Sequence, residues 1–192
     1  GQGKRLKPLT DKIPKSMVRV GNSTILEIQL NSLPDDKIKE IVFIVGHAKE
    51  IFIEYVNKLN LKHKYYFVHN KEYESTNCAY SLFQAKDFFN DGFIYFNSDL
   101  LLKRENILSI FNQESDNVAG ARKNTSYTTD LQKLYVNGGA IEKWSLHLDG
   151  ANAEVMGPIK LCADDAKQLL LFYNSLSENR KKELHCFSLF SE

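Results

Sequence analysis

The first ten residues, Gly1-Gln2-Gly3-Lys4-Arg5-Leu6-Lys7-Pro8-Leu9-Thr10, bring together two glycines, three cations and a Pro-Leu-Thr stop. Glycine lets backbone N–H groups approach phosphate oxygens closely, and Lys4 and Arg5 supply positive charge, so the segment can cradle an anionic phosphate chain. It is neither of two familiar phosphate loops. Position 6 is Leu6 where a dinucleotide fingerprint needs glycine, and Gly3-Lys4 is followed by Arg5 where a P-loop needs serine or threonine. Taken alone, the segment also reads as a flexible basic N-terminus. A second cluster, Ser75-Thr76-Asn77, leads into a helical stretch; its hydroxyls and amide suit a base edge or a ribose, or simply cap the helix. A third feature is the apolar run Phe93-Ile94-Tyr95-Phe96, which ends in Asn97-Ser98-Asp99. Ligands of open α/β sheets lie beyond the carboxyl ends of strands, which puts Asp99 where a metal-bound triphosphate would lie. Its carboxylate is the hard oxygen donor that Mg²⁺ prefers, the alternative being a turn-forming aspartate.

These residues need elements to hold them. Thr24-Ile25-Leu26-Glu27 has the form of a capping box and predicts a helix to about Leu33. Glu40 to Val45 (EIVFIV) is a continuous apolar, β-branched run, expected to be a parallel strand covered on both faces, and Gly46 ends it. Ile51, Phe52, Tyr55, Val56 and Leu59 recur at helical spacing. Tyr65 to Val68 and Gly92 to Phe96 read as further strands around a helix from Cys78 to Phe89. This alternation predicts a doubly wound α/β sheet in one domain spanning residues 1–192. After Asn117 the texture changes. Short strand candidates at 117–121, 132–136 and 140–146, with an Asn137-Gly138 turn, predict a small antiparallel excursion. Val155 to Leu161 is one more strand candidate, and the acidic start and leucine-rich body of 164–176 suit a helix.

Charge and composition exclude several roles. The 25 Lys and Arg against 24 Asp and Glu leave a formal charge of +1, so no polybasic field is present to hold nucleic acid or an anionic membrane nonspecifically. No apolar run approaches the roughly 20 residues that cross a bilayer. Cys78, Cys162 and Cys186 are odd in number and widely spaced, which fits a reducing, cytoplasmic setting better than a disulfide framework. The five histidines include no pair at helical metal-ligand spacing.

Beyond Thr10 the chain reads Ile13-Pro14-Lys15-Ser16-Met17 and then Ile25-Leu26-Glu27-Ile28-Gln29. Over residues 1–29 it resembles the nucleotidyltransferases that activate sugar phosphates and related phosphate monoesters, whose signature runs Gly-x-Gly-x-Arg-Leu-x-Pro-Leu-Thr, Pro-Lys, Ile-Leu-Glu. Tyr73-Glu74-Ser75-Thr76-Asn77-Cys78-Ala79-Tyr80-Ser81-Leu82 is similar to the Tyr-x-x-Thr-Asn-Asn-x-x-Ser-Leu segment of the branch that includes bacterial CTP:phosphocholine cytidylyltransferases, with Cys78 in place of the second asparagine. The resemblance implies a Rossmann-like doubly wound mixed sheet with a strand ahead of Gly1. It also implies Mg²⁺-dependent transfer of CMP from CTP to a small phosphate monoester such as phosphocholine, with release of pyrophosphate. It gives Arg5, Lys15 and Asp99 catalytic roles, with Asp99 as the metal ligand. Gly1, Gln2, Gly3, Lys4, Thr76, Asn77 and Ser81 fall to the nucleotide. The family's second acidic metal ligand, from a Glu-Ile-Asp-like motif near the C-terminus, has no counterpart before Glu192, so further chain is expected there.

An aromatic cage for a quaternary ammonium acceptor would draw on Tyr80, Tyr127, Tyr135 or Trp144, although strand aromatics are more often core. Glu154, in a strand similar to the one that borders the acceptor in the family, completes the acceptor candidates. Two other readings stay open: a sugar-1-phosphate nucleotidylyltransferase, and a nucleotidyltransferase-like domain that binds without catalysing.

Overall fold

The computed structural model describes residues 3–123 and 131–191. A two-stranded ribbon, β1 (Arg19–Val20) against β2 (Ser23–Thr24), leads into α1 (Ile25–Ser32). The capping box sets that start. Thr24 Oγ1 accepts from the Glu27 N–H at 3.1 Å, and the Glu27 carboxylate accepts from the Thr24 N–H at 2.7 Å. The backbone hydrogen bond from Thr24 is the main reason that the Glu27 carboxyl lies below the ordinary carboxylate range.

β3 (Glu40–Val45) and β4 (Lys64–His69) pair parallel and in register, connected by α2 (Lys49–Lys58). Phe52 and Val56 of α2 pack against Phe43, Tyr65 and Phe67. Ile51 remains 43% exposed, so the buried stripe is narrower than the apolar spacing suggested. The expected burial of β3 on both faces holds only at Val45, because the flank of the strand away from β4 opens onto a cavity.

α3 (Cys78–Phe83) ends at Phe83 and not at Phe89, with a separate 3-10 turn at Lys86–Phe88. Tertiary packing explains the break. Phe83 stacks on Tyr173 with ring centroids 3.7 Å apart, while Phe89 stacks on Phe93 at 4.4 Å, and an unbroken helix would not turn both rings into the same core.

The second half is antiparallel and extends further than a small excursion. β5 (Phe93–Tyr95) is followed by α4 (Arg104–Asn112), β6 (Val118–Arg122), β7 (Lys133–Asn137), β8 (Ala140–Ser145) and β9 (Ala153–Leu161). β9 is the hub, pairing with β5, β6 and β7, while β7 and β8 form the predicted hairpin. The turn lies one residue later than the expected Asn137-Gly138: Asn137 still pairs with Ala140, and the left-handed residues are Gly138 and Gly139, with φ of 57° and 90°. α5 (Ala163–Ser175), α6 (Glu178–Glu183) and α7 (Cys186–Leu189) close the structure, with Ala166, Tyr173, Leu184, Cys186 and Leu189 buried against Ala79, Leu82 and Phe83 of α3.

The result is the mixed α/β architecture read from the sequence. Among the described residues, the β3 edge away from β4 and the β5 edge away from β9 are both unpaired. Both strands line one cavity of about 1260 Å³.

Candidate active site

The glycine loop is a chain of tight turns. Gly3 has φ of 61°, its carbonyl accepts from the Leu6 N–H at 2.8 Å, and Thr10 Oγ1 donates to the same oxygen at 2.8 Å. A Cβ at Gly3 would stand 2.9 Å from Thr10 Cγ2, so both backbone and space call for glycine. His47 Nε2 donates to the Thr10 carbonyl at 3.1 Å and ties the far end of the loop to the end of β3. Lys4 and Arg5 lie exposed in the first turn. Gly1 and Gln2 lie outside the described residues.

Lys15 opens a 3-10 turn whose Ser16 and Met17 are buried. Its Nζ donates to Asp99 Oδ2 across 84 positions of sequence. Asp99 itself is held by a turn at Asn97–Leu100, closed by the Leu100 N–H donating to the Asn97 carbonyl at 3.2 Å. Gln29 Nε2 donates to the carbonyls of Asn97 and Leu100, each at 2.8 Å, so α1 fixes this turn. From β5, the Tyr95 hydroxyl donates to Asn97 Oδ1 at 2.7 Å. The side chains of Lys15 and Asp99 are 29% and 39% exposed, so water screens the pair and its strength is about 1 kcal/mol or less. A phosphate at Lys15 or a cation at Asp99 can therefore replace it at small cost.

The Ser75-Thr76-Asn77 segment is organised from beneath by Asn70, which is 2% exposed. Asn70 Nδ2 donates to Thr76 Oγ1 at 3.0 Å and to Ser81 Oγ at 2.9 Å, and its Oδ1 accepts from the Glu72 N–H at 2.9 Å. Asn77 caps α3: its Oδ1 accepts from the Cys78 N–H at 2.9 Å, while its Nδ2 donates to the Glu183 carbonyl at 3.1 Å. Its backbone N–H donates to the Lys182 carbonyl at 2.7 Å, so the C-terminal helices dock directly on this segment. The Lys182 ammonium, with help from the Tyr80 hydroxyl, holds the Glu72 carboxyl below its ordinary range.

Lys15, Thr76, Asn77, Ser81 and Asp99 converge on the cavity beside β3 and β5, together with Gly46 and His47. Gly3, Lys4 and Arg5 do not line it. The acceptor candidates are elsewhere. Tyr80 donates to Glu72 at 2.5 Å and lines a separate hollow of about 150 Å³ with Phe83 and Tyr173, because one step along α3 turns it about 100° from Ser81. Trp144 packs on the Leu134, Val155 and Ile159 core. Glu154 is fully buried in β9, where Arg122 Nε and Nη2 donate to it at 3.1 and 2.9 Å and Lys133 Nζ lies 3.9 Å away. This carboxylate is committed to an ion cluster and is not aimed at the cavity. Tyr127 lies outside the described residues. Among the described residues, no group of three His, Cys, Asp or Glu side chains gathers to hold a metal.

Three organising residues escaped the sequence reading: Gln29, His47 and Asn70. The rule that singled out Asp99 would have found two of them, since His47 and Asn70 also follow the carboxyl ends of strands. Gly46 has a role in space: a Cβ there would fall 2.6 Å from Tyr73 Cβ. Gly46→Ala is expected to displace Tyr73 and cost about 1–3 kcal/mol, read by urea unfolding; an unchanged midpoint would show that Tyr73 yields freely.

Residues 1–130 match the model of the nucleotidyl transferase family. The chain is 36% identical over 88 residues to the CTP:phosphoglutamine cytidylyltransferase of Campylobacter jejuni, a match covering 46% of this chain and 34% of that protein. It is 36% identical over 87 residues to the choline-phosphate cytidylyltransferase of Streptococcus pneumoniae, covering 45% of this chain and 36% of the relative. The chain thus spans about a third of the length of these relatives. The inositol-1-phosphate CTP transferase from T. maritima shares the fold, with a TM-score of 0.81 and 22% identity over 100% of this chain and 76% of that one. No helix among the described residues is long and apolar enough to cross a membrane. Since the family match takes in the glycine loop, Lys15, the Thr76–Ser81 segment and the Asp99 turn, the chain belongs to the nucleotidyl transferase family.

Proposed function

We propose that the protein is a cytidylyltransferase that uses Mg²⁺ to transfer CMP from CTP to a small phosphate monoester, phosphocholine being the first candidate, and releases pyrophosphate. The observation that carries this reading is the meeting of the Lys15–Asp99 pair with Thr76, Asn77 and Ser81 around one cavity. Both curated relatives described above are cytidylyltransferases by name, and their acceptors are small phosphate compounds. In the reaction, an acceptor phosphate oxygen attacks the α-phosphorus in line with the departing pyrophosphate. No side-chain nucleophile is needed, so the protein contributes positioning and charge neutralisation.

Lys15 is a mobile point charge for the reacting phosphates, and Arg5 in the glycine loop offers a planar fork for triphosphate oxygens. Thr76, Asn77 and Ser81 form the polar wall for the nucleoside, with Asn70 fixing the hydroxyl directions. Asp99 suits Mg²⁺, which is held by one or two carboxylates plus substrate phosphates and water, and its oxygens are exposed at the end of β5. When bound, the ion would neutralise triphosphate charge and orient it. The odd number and wide spacing of the three cysteines support a reducing, cytoplasmic setting.

The test is pyrophosphate release from the whole protein with Mg²⁺, each of the four nucleoside triphosphates, and a panel containing phosphocholine, phosphoamino compounds and sugar 1-phosphates. CTP with a small non-sugar phosphate should give the fastest release. Preference for a sugar 1-phosphate would replace the acceptor assignment, and no release with any pair would leave a binding domain. In the same protein, Lys15→Glu places a second negative charge beside Asp99 and should weaken CTP binding on the order of a hundredfold by calorimetry. Unchanged affinity would remove Lys15 from the phosphate site.

A further inference from the structure

Where α3 meets α7, two cysteines and a histidine are brought together from sequence positions more than a hundred residues apart. The backbone sets the approach. The Asn77 N–H donates to the Lys182 carbonyl at 2.7 Å and the Ala79 N–H to the Leu184 carbonyl at 3.3 Å, so the residues flanking Cys78 lie alongside those preceding Cys186. Cys78 Sγ accepts from the Cys186 N–H at 3.0 Å and lies 3.9 Å from His185 Nδ1. The two cysteines differ in access: Cys78 is half-buried and borders the large cavity, whereas Cys186 is 1% exposed.

We propose that Cys78 and Cys186 are a redox-active thiol pair, in which Cys78 exchanges with low-molecular-weight disulfides of the glutathione type and Cys186 resolves the mixed disulfide. In the first step the Cys78 sulfur bonds to one sulfur of glutathione disulfide; the disulfide bond breaks, and one glutathione leaves and takes up the proton that Cys78 gave up. In the second step the Cys186 sulfur bonds to that of Cys78 and expels the second glutathione, which takes the Cys186 proton. Two protein thiols are thereby oxidised to one disulfide, and one glutathione disulfide is reduced to two thiols. The order follows from access, since only Cys78 can meet a solute, and Cys186 needs none because its partner is adjacent.

The local electrostatics favour the same division. Hydrogen bonds from the Cys186 thiol, with His185 and the Cys186 backbone adding to them, bring the Cys78 thiol down to about 4, while burial pushes the Cys186 thiol up. The attacking residue is then the thiolate, the nucleophilic form. Cys162, the remaining cysteine, donates to Asp165 at 3.2 Å and has neither partner, so it serves as an internal control.

The experiment exposes the reduced protein to glutathione disulfide and follows intact mass and peptide maps, without nucleotide or acceptor. Wild type should lose two hydrogens and yield one cross-linked peptide joining Cys78 to Cys186. Cys186→Ser should stop with one glutathione on Cys78, and Cys78→Ser should give no cross-link. A free Cys78 thiol in oxidised wild type, or first modification at Cys162, would overturn the assignment. As a check that needs no variant, iodoacetamide at about pH 6, where an ordinary thiol near 8.5 is scarcely ionised, should label Cys78 before Cys162. Equal or slower labelling of Cys78 would count equally against the pair.

Discussion

Asp99→Ala is expected to lower turnover on the order of a thousandfold or more while the protein remains folded. Two features of the site make the effect large on chemistry and small on stability. The Asp99 carboxylate is the oxygen donor at the carboxyl end of β5, held in place by Gln29 and Tyr95 through Asn97, so its loss removes an aimed ligand from the proposed triphosphate site. Its partner in the structure is Lys15, and both side chains reach solvent, so removing the pair changes stability by about 1 kcal/mol or less. Pyrophosphate release and thermal unfolding, measured on the same preparation, separate the two. Activity within tenfold of wild type would take Asp99 out of the metal site. Loss of the folded state would instead mean that the Asn97–Leu100 turn depends on Asp99 as well as on Gln29. The side chain accepts one ammonium and no backbone N–H in the hydrogen bonds of that turn, which argues for the first behaviour.

What the sequence revealed was local. Thr24 and Glu27 are three residues apart, and their reciprocal capping needs nothing from the rest of the chain. The glycines after Asn137 carry the hairpin turn in their own backbone preferences, although the turn proved to be Gly138-Gly139, one residue later than Asn137-Gly138, and the six-residue run at Glu40–Val45 has no helical period to confuse it. Pairing partners are another matter. Phe93–Tyr95 is too short to show a period, and its antiparallel partners lie more than sixty positions later, Tyr95 meeting Ile159 and Phe93 meeting Leu161. Nothing near Phe93 encodes that encounter, so the antiparallel sheet proved larger than a reading of alternating strands and helices allowed. The break after Phe83 is of the same origin: Phe89 leaves the helix to stack on Phe93.

The site divides along the same line. Residues inside recognisable motifs, Lys15 and Asp99 above all, were visible one by one, but not their contact, which spans 84 positions. Glu154 shows the converse. The resemblance of its strand to the one that borders the acceptor in the family made Glu154 an acceptor candidate, yet Arg122 and Lys133 reach it from neighbouring strands and satisfy it within the core. Burying an ionised carboxylate is costly without such partners, so its sequence setting alone could not distinguish a ligand contact from an internal ion cluster. Gln29 and Asn70 went unnoticed because a single amide has no spacing to recognise; only the tertiary structure shows which hydroxyls and carbonyls it serves.

Asn70→Ala is therefore the sharper test of how the polar wall is built. The substitution removes both bonds donated to Thr76 Oγ1 and Ser81 Oγ and leaves the Glu72 N–H without its acceptor. Each buried polar group left unsatisfied costs about 1–3 kcal/mol, and Asn70 is itself almost fully buried, so urea unfolding should report a loss of about 2–4 kcal/mol. CTP affinity should fall as well, since Ser81 becomes free to rotate and Thr76 keeps only its bond to the Glu72 carbonyl. Asn70→Asp separates the two consequences. Its carboxylate can still accept from the Glu72 N–H, but it cannot donate to either hydroxyl, and it would turn the Ser81 proton inward as a donor to itself. The aspartate should regain part of the lost stability while nucleotide binding stays weak. If the aspartate restored CTP affinity along with stability, the directions of the Thr76 and Ser81 hydroxyls would be irrelevant to the nucleotide, and Asn70 would act only as a brace for the turn that joins β4 to α3.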